Sequence, residues 1–312
     1  MPDPLPTNSF HELQPQQPPL IVLQDVRVAF AQEDAVTLVL DAVSLQIHRG
    51  EYVALVGPNG SGKSTLGQVM AGLCEVSSGS AIRPQWTPLP GVNGRGGGVA
   101  VIFQNPDAQI VEQTVLADVC FGMENLAVPR LEMAYRAERA LTACGLSKLT
   151  HAQVGELSGG QKQLLCIAGA LAMSPQVLIL DEATSMLPPA TRQQILQVVQ
   201  QQHQSGMTLV WITQWMEEAA QAQRVIALNQ GRVAFDGTPE EFFHPTLVVN
   251  SAQPGHGGGE SSETKKTSSV CENLGFPLPY TLEVTKALAN RGIRWQNWPL
   301  TPAALTRELS QL

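Results

Sequence analysis

Charge is sparse in this sequence, and positive charge is sparser still. Only 15% of the 312 residues are charged, with 19 Lys and Arg against 27 Asp and Glu, for a net charge of −8. No basic stripe offsets that balance, which argues against a nucleic-acid partner. The five cysteines (Cys74, Cys120, Cys144, Cys166, Cys271) are widely scattered. They form no C-x-x-C or Cys/His ligand spacing, which leaves buried free thiols in a reducing compartment as the expectation. No apolar run approaches the length needed to span a bilayer. The opening Met1-Pro2-Asp3-Pro4 lacks the basic-then-apolar order of a secretory signal. The expectation is a soluble protein, or one held at a membrane only through a partner. Hydrophobic residues, at 43%, are plentiful enough to build the core of one large domain or two smaller ones.

The most informative stretch is Gly57-Pro58-Asn59-Gly60-Ser61-Gly62-Lys63-Ser64-Thr65, which fits G-x-x-x-x-G-K-[ST], the phosphate-binding P-loop. Tyr52 to Val56 ahead of it reads as a buried parallel strand, and Leu66 to Ala71 behind it as the start of a helix. That context turns a short pattern into a specific one. Glycines let the chain wrap a phosphate closely with its N–H groups turned inward, and the helix start adds its positive dipole end. Lys63 supplies a cation for β- and γ-phosphates, and the Ser64 hydroxyl is a ligand for Mg²⁺.

Around this motif the chain organises itself in order. Residues 1–19 are rich in proline and glutamine and read as a disordered leader. Val26 to Phe30 and Val39 to Ile47 alternate as antiparallel strands joined by a polar turn. Phe30 is open between a core side chain and a ring that stacks on a base. Residues 77–98 read as a loop or hairpin region, and Gly98 to Phe103 as the next strand, ending at Gln104. Residues 105–156 read as a mostly helical insertion, with Pro129 opening a helix that Gly145 closes.

Leu157-Ser158-Gly159-Gly160-Gln161 carries a capping box, Ser158 with Gln161 three residues on, so a helix starts here and runs to about Met173. The same residues suit a second anion-binding helix N-terminus. Val177-Leu178-Ile179-Leu180-Asp181-Glu182 decides for that functional reading. It is a fully apolar strand ending in two adjacent carboxylates, where an open α/β sheet binds its ligand. Beside a P-loop, Asp181 suits Mg²⁺ coordination and Glu182 is placed to orient or deprotonate an attacking water. Downstream, Pro189 to Gln204 reads as a helix and Met207 to Thr213 as a buried strand ending at Gln214. Met216 to Ala222 reads as helical. Val225 to Leu228 and Arg232 to Phe235 form a hairpin. Residues 251–270 read as a flexible linker. The tail carries helices near 282–290 and 302–312, with a strand-like Ile293-Arg294-Trp295 between them.

These motifs together resemble the ATPase subunit of ABC transporters, over about residues 20–245. Within that superfamily the chain is similar to the ATPases of energy-coupling factor (ECF) transporters, which take up vitamins or cobalt and nickel ions. Three stretches carry the closer likeness: Val101 to Val111, Phe121 to Pro129, and Leu274 to Tyr280. The resemblance implies an α/β fold: a P-loop ABC-ATPase core with a RecA-like parallel sheet and an antiparallel β subdomain over 20–104 and 165–245. It adds a helical signature subdomain over 105–164, a linker over 246–272, and a small C-terminal α/β extension over 273–312. It implies ATP and Mg²⁺. Two ATPase subunits pair head to tail, each ATP lying between one P-loop and the other subunit's signature. Phe30 would stack on adenine. Gly57 to Thr65 would hold phosphates, with Ser64, Gln104 and Asp181 near the metal. Ser158, Gly159, Gly160 and Gln161 would grip the partner's γ-phosphate. Glu182 would be the catalytic carboxylate, assisted by Gln104 and by Gln214 at the switch position. A transmembrane coupling subunit would dock on a groove near residues 104–130, beside a substrate-binding membrane subunit, at the cytoplasmic face of the cell membrane.

Two positions depart from the family pattern. The switch position usually holds histidine and here holds Gln214, which can hydrogen-bond a phosphate but cannot carry the positive charge. The loop after Glu182 usually reads Ser-x-Leu-Asp, and here Ser185-Met186-Leu187 runs into Pro188, losing a carboxylate and a backbone donor. The expectation is a slow site in a heterodimer whose other site is faster. The competing readings are another ABC transporter class, an ABC ATPase that moves nothing across membranes, and a P-loop kinase or GTPase. The second of these usually shows paired ATPase units, a long coiled coil or zinc cysteines, and the last has no use for Leu157 to Gln161.

Overall fold

The computed structural model describes residues 18–32, 35–88, 95–246, 268–289, 291–293, 295 and 298–310. The chain enters through β1 (Ile21–Gln32), β2 (Ala35–Ile47) and β3 (Tyr52–Val56), then α1 (Lys63–Ala71) and β4 (Ser78–Ile82). A two-rung ladder, β5 (Thr87–Pro88) with β6 (Arg95–Gly96), precedes β7 (Val99–Ile102). Three helices follow: α2 (Val115–Asn125), α3 (Arg130–Ala143) and α4 (Gly159–Ala172). Then come β8 (Val177–Asp181), α5 (Pro189–Gln204), β9 (Thr208–Ile212), α6 (Met216–Ala219), β10 (Arg224–Asn229), β11 (Arg232–Gly237) and α7 (Pro239–Phe243). The C-terminal portion adds β12 (Pro245–Thr246), β13 (Ser268–Ser269), α8 (Val270–Asn273), α9 (Tyr280–Ala289) and α10 (Pro302–Leu309).

The central sheet runs β11-β10-β3-β9-β8-β7, parallel throughout except for β11 at its edge. Its middle strands β3, β9 and β8 are buried along their whole length and nearly all apolar, because both faces are covered. Tyr52, Ala54 and Val56 of β3 enter the core shared with α2, α3 and α4, while Val53 and Leu55 enter the core shared with α1 and the antiparallel sheet. The same alternation divides Leu209 and Trp211 from Val210 and Ile212 on β9. A strand's side chains point to opposite faces in turn, so one strand knits two cores together.

The antiparallel sheet has the order β2-β1-β4. β4 falls inside the region read as loop or hairpin. It is an edge strand whose side chains are nearly all exposed, so it lacks an alternating apolar signal, and its partner is β1, far back in the chain. α4 begins inside the expected helical subdomain and ends beyond residue 164, packing on both α2 and α3. The expected helix over Met216 to Ala222 is only one turn long.

The expected leader up to residue 17 and the greater part of the expected linker lie outside the described residues. The C-terminal extension takes in residues from Ser268 on, ahead of the expected start at 273, because β13 pairs with β12 and α8 follows directly with its own capping box. Cys271, Leu278, Leu282 and Leu300 of this extension join the core of the ATPase-like part. Ile293 and Trp295 do not form a strand. The Ile293 N–H closes the end of α9 on Leu288 O, and the Trp295 indole donates to Thr285 O at 3.1 Å. All five cysteines are free. Burial pushes the thiols of Cys144, Cys166 and Cys271 up to about 12.

Candidate nucleotide site

The P-loop leaves the end of β3 and turns back into α1. Its glycines answer to contacts. A Cβ on Gly57 would lie 2.5 Å from both Leu228 O and Ser61 Oγ, and one on Gly62 would lie 2.8 Å from Val39 O, with Gly62 also at φ +97°. Both neighbours include backbone, so a side chain has nowhere to go. The loop is also tied to β11's turn, where the Gly231 N–H donates to Ser61 O at 3.1 Å. Lys63 is buried at the first position of α1, and its Nζ donates to Gly57 O at 2.9 Å and Pro58 O at 3.1 Å. Burial pulls its ammonium below the ordinary range, and the nearby carboxylates of Glu182 and Asp181 resist that shift. Ser61 Oγ is buried without a hydrogen-bond partner. A buried hydroxyl left unpaired inside a loop of this shape fits an absent oxyanion such as a phosphate.

The end of β8 meets the same loop. Ser64 Oγ donates to Asp181 Oδ1 at 3.0 Å. Burial raises the Asp181 carboxyl above its ordinary range, the Ser64 bond opposes this, and the charge of Glu182 adds to it. One hydroxyl and one carboxylate, with no cluster of three His, Cys, Asp or Glu among the described residues, form an incomplete protein ligand set. That suits Mg²⁺, which completes its shell from phosphates and water. Glu182 sits at φ +48°, a left-handed conformation that costs a non-glycine residue on the order of 1 kcal/mol. Its N–H donates to Ile212 O at 3.0 Å and its carbonyl accepts from Ser185 N–H at 3.0 Å, so the strained turn is held from both sides. Gln104, exposed after β7, donates through Nε2 to Ser185 Oγ at 3.0 Å. This joins the glutamine to the loop that follows Glu182. Gln214, also exposed, follows β9.

Phe30 is 45% exposed on β1, which removes it from the core. It pairs across the ladder with Thr37, two residues before the Val39 that abuts Gly62. The signature stands apart. Ser158 Oγ accepts from Gln161 N–H at 3.3 Å and Ser158 N–H donates to Gln161 Oε1 at 2.8 Å, closing the capping box. Ser158 and Gly159 are exposed, and a Cβ on Gly159 would meet open space. Among the described residues no hydrogen bond joins 57–65 to 158–161. Pro188 caps α5, whose Thr191 reaches back to within 2.3 Å of where a Cβ on Gly160 would lie.

Sequence reasoning passed over a buried group nearby. Glu218, on α6, accepts hydrogen bonds from Thr184 Oγ1 at 2.6 Å and Thr213 Oγ1 at 2.5 Å. Nothing in the sequence separates it from its neighbour Glu217, which is exposed. Only the packing does.

Comparison with known proteins agrees with this geometry. The ABC transporter family model matches residues 40–185. An energy-coupling factor transporter ATP-binding protein, EcfA1, of Bacillus subtilis is 36% identical over 93% of this chain and 96% of its own length. The EcfA1 of Symbiobacterium thermophilum is 43% identical over 72% of this chain and 81% of its own. Among solved structures, cbiO1 of Clostridium perfringens, part of the ABC transporter complex cbiONQ, superimposes with a TM-score of 0.62 at 29% identity, covering 73% of this chain and 91% of its own. A dimeric ATP-binding cassette in a post-hydrolysis state bound to ADP and Pi superimposes with a TM-score of 0.60 at 25% identity, covering 70% and 98%. The chain belongs to the ABC transporter ATPases, in the branch of the energy-coupling factor ATP-binding proteins.

Proposed function

We propose that this chain is the ATP-hydrolysing subunit that powers an ECF-type importer of vitamins or transition-metal ions, working as one half of an ATPase heterodimer. The observation that carries the reading is a division of labour within one chain. The P-loop brings the buried Lys63 and Asp181 together with the exposed Ser64 hydroxyl, whereas the signature turns Ser158 and Gly159 outward, with no other described residue within reach of a Cβ on Gly159. A complete phosphate cradle and an uncovered second helix terminus fit a head-to-tail pair in which each ATP is closed by the other subunit.

In this reading the N–H groups of 57–65 and Lys63 bind the β- and γ-phosphates, and Lys63 exchanges its bonds to Gly57 O and Pro58 O for phosphate oxygens. Phe30 stacks on adenine. Ser64, with Asp181 and Gln104 close by, would hold Mg²⁺, which would supply positive charge beside the phosphates. Glu182 accepts a proton from the water that attacks the γ-phosphorus as the bond to the β–γ bridging oxygen breaks, giving ADP and phosphate. Gln104 and Gln214 hold the water and the γ-phosphate by hydrogen bonds. The partner's signature supplies the remaining donors, as Ser158, Gly159, Gly160 and Gln161 do for the partner's site. No described helix is long and apolar enough to cross a membrane, and the chain reaches the cytoplasmic face of the cell membrane through a transmembrane coupling subunit and a substrate-binding subunit. Gln214 and Pro188 make this chain's own site the slower of the two.

The test is a gentle detergent pull-down from the native membrane with every co-purifying protein identified. Recovery of a second, different ATPase carrying a switch histidine, together with membrane subunits, is the expected result. Recovery of this chain alone, or with ribosomes or DNA, overturns the transport reading.

A further inference from the structure

Two strand ends carry the chemistry of the proposed site: β8, which runs into Asp181 and Glu182, and β9, which runs into Thr213 and Gln214. They are neighbours in the sheet, but backbone pairing ends with Asp181 opposite Ile212. One more backbone bond, from Glu182 N–H to Ile212 O at 3.0 Å, ties the ends together, and past it no backbone bond joins 183–188 to 213–218 among the described residues, so side chains must fix the spacing of the two turns. Glu218 stands where that task falls. It is 2% exposed. One carboxylate oxygen accepts from Thr184 Oγ1 at 2.6 Å, two residues past Glu182, and the other from Thr213 Oγ1 at 2.5 Å, one residue before Gln214. Thr213 Oγ1 in turn accepts the Trp215 N–H at 2.9 Å, so the bond network brackets Gln214 on both sides. Arg192 stacks on the Trp215 ring, 3.8 Å from its centroid, and closes the network from α5.

We propose that Glu218 is a positioning residue for hydrolysis. Its carboxylate clamps the Glu182 turn to the Gln214 turn and holds the two at a fixed separation. The inference rests on the roles given above to Glu182 and Gln214. The arrangement is costly to maintain: burial raises the Glu218 carboxyl above its ordinary range, the two threonine hydroxyls and then the charge of Arg192 oppose the rise without cancelling it, and no ion pair to it within 4.0 Å is found among the described residues. An apolar side chain would fill the same space without that desolvation. What it could not do is accept two hydroxyls from two different turns and fix their distance. Each hydroxyl reports one side of the clamp, and Thr213 offers the cleaner perturbation because serine keeps its bond and valine keeps its shape.

The experiment uses the assembled transporter complex and four variants: Glu218→Ala, Thr213→Val, Thr213→Ser and, as a reference, Glu182→Gln. ATP affinity is read with a fluorescent nucleotide, turnover as kcat and KM, and folding by Tm. The expected result is a tenfold or larger fall in kcat for Glu218→Ala and Thr213→Val, with ATP affinity and KM within twofold of the parent. Thr213→Ser returns kcat to within twofold. If Glu218→Ala does not fold, the Thr213 pair alone decides. Unchanged kcat in Thr213→Val, or an equal fall in Thr213→Val and Thr213→Ser, overturns the clamp provided Glu182→Gln has lost turnover. Full turnover in Glu182→Gln removes the catalytic assignment itself, and the clamp with it.

Discussion

The P-loop and the signature are both helix N-termini offered to phosphate, yet they are built in opposite ways. At the P-loop, the lysine is buried, its ammonium is held by two carbonyls, the neighbouring hydroxyl is bonded to a carboxylate, and one hydroxyl waits without a partner. At the signature, the helix is capped by its own serine and glutamine, and the terminus faces solvent. Lys162, in the first turn of that helix, is paired with Asp107 at 2.6 Å. In the proposed reading the first binds nucleotide with groups of its own chain before the partner closes over it, and the second meets a phosphate only when another chain brings one. A helix dipole alone is weak when exposed and screened, and a buried cation with oriented N–H groups is not. The difference therefore predicts which residues govern binding and which govern turnover.

The largest effect is expected at Lys63. Lys63→Ala removes the cation from the buried side of the comparison, and turnover in the assembled complex should fall by about a hundredfold or more, as when one preorganised donor is lost from a transition state. Nucleotide affinity should fall with it. Retained affinity with a fluorescent nucleotide would mean that the P-loop is not the self-sufficient site described.

Gly160→Ala probes the other side. The new Cβ would lie 2.3 Å from Thr191 Cγ2, a β-branched side chain on a helix that cannot swing away. Turnover should fall about tenfold while ATP binding to this chain's P-loop stays unchanged, because in the proposed pairing the residue serves the partner's site. The overpacking costs about 1–3 kcal/mol of stability. Adding Thr191→Ala should restore most of the Tm, and turnover only if packing, and not the approach of a γ-phosphate, was the obstacle. Loss of ATP binding in the single variant would collapse the distinction between the two termini.

A smaller change, in the opposite direction, is expected at the switch. Gln214→His should raise turnover of the assembled complex several-fold, since histidine adds the charge that the exposed amide lacks. Steady-state hydrolysis before and after the substitution measures it, and an unchanged rate would show that Gln214 already suffices and that the asymmetry lies elsewhere.

These contrasts were unevenly legible in the sequence. The P-loop strand was read with its true bounds because a buried parallel strand is a plain apolar run closed by glycine. The signature helix was read from its capping box, which forms as expected. α7 carries an equally clear signal, Thr238 with Glu241 and Pro239 at the helix start, and it could have been found the same way. β4 could not. Ser78-Gly79-Ser80 has no apolar period, and the strand exists only because β1 lies beside it. Phe30 was left open between core and base-stacking, and its exposure decides against core. Glu218 shows the limit most clearly. Adjacent glutamates look alike in a sequence, and only tertiary packing sends one to solvent and the other between two threonines.

The smallest effect is expected at the footing of the P-loop, where Asp41 of β2 ties the antiparallel sheet to β11. Its N–H donates to Gly231 O at 2.9 Å, its carboxylate meets Arg232 at 2.5 Å and Arg27 at 3.2 Å, and Gly231 in turn holds Ser61 O. The hydrogen bond from Arg232, aided by Arg27, holds the Asp41 carboxyl below its ordinary value of 3.8. A carboxyl lowered in the folded state lends stability above its unfolded pKa and loses it as the pH falls through the folded one. Asp41→Asn should therefore lower Tm slightly near neutral pH, and the gap from the parent should narrow below about pH 4 and close in stronger acid. Because the pair is exposed, salt should narrow the same gap at neutral pH. A gap that ignores both acid and salt would mean that the Asp41 backbone bond to Gly231, and not the charge, braces the P-loop against the sheet.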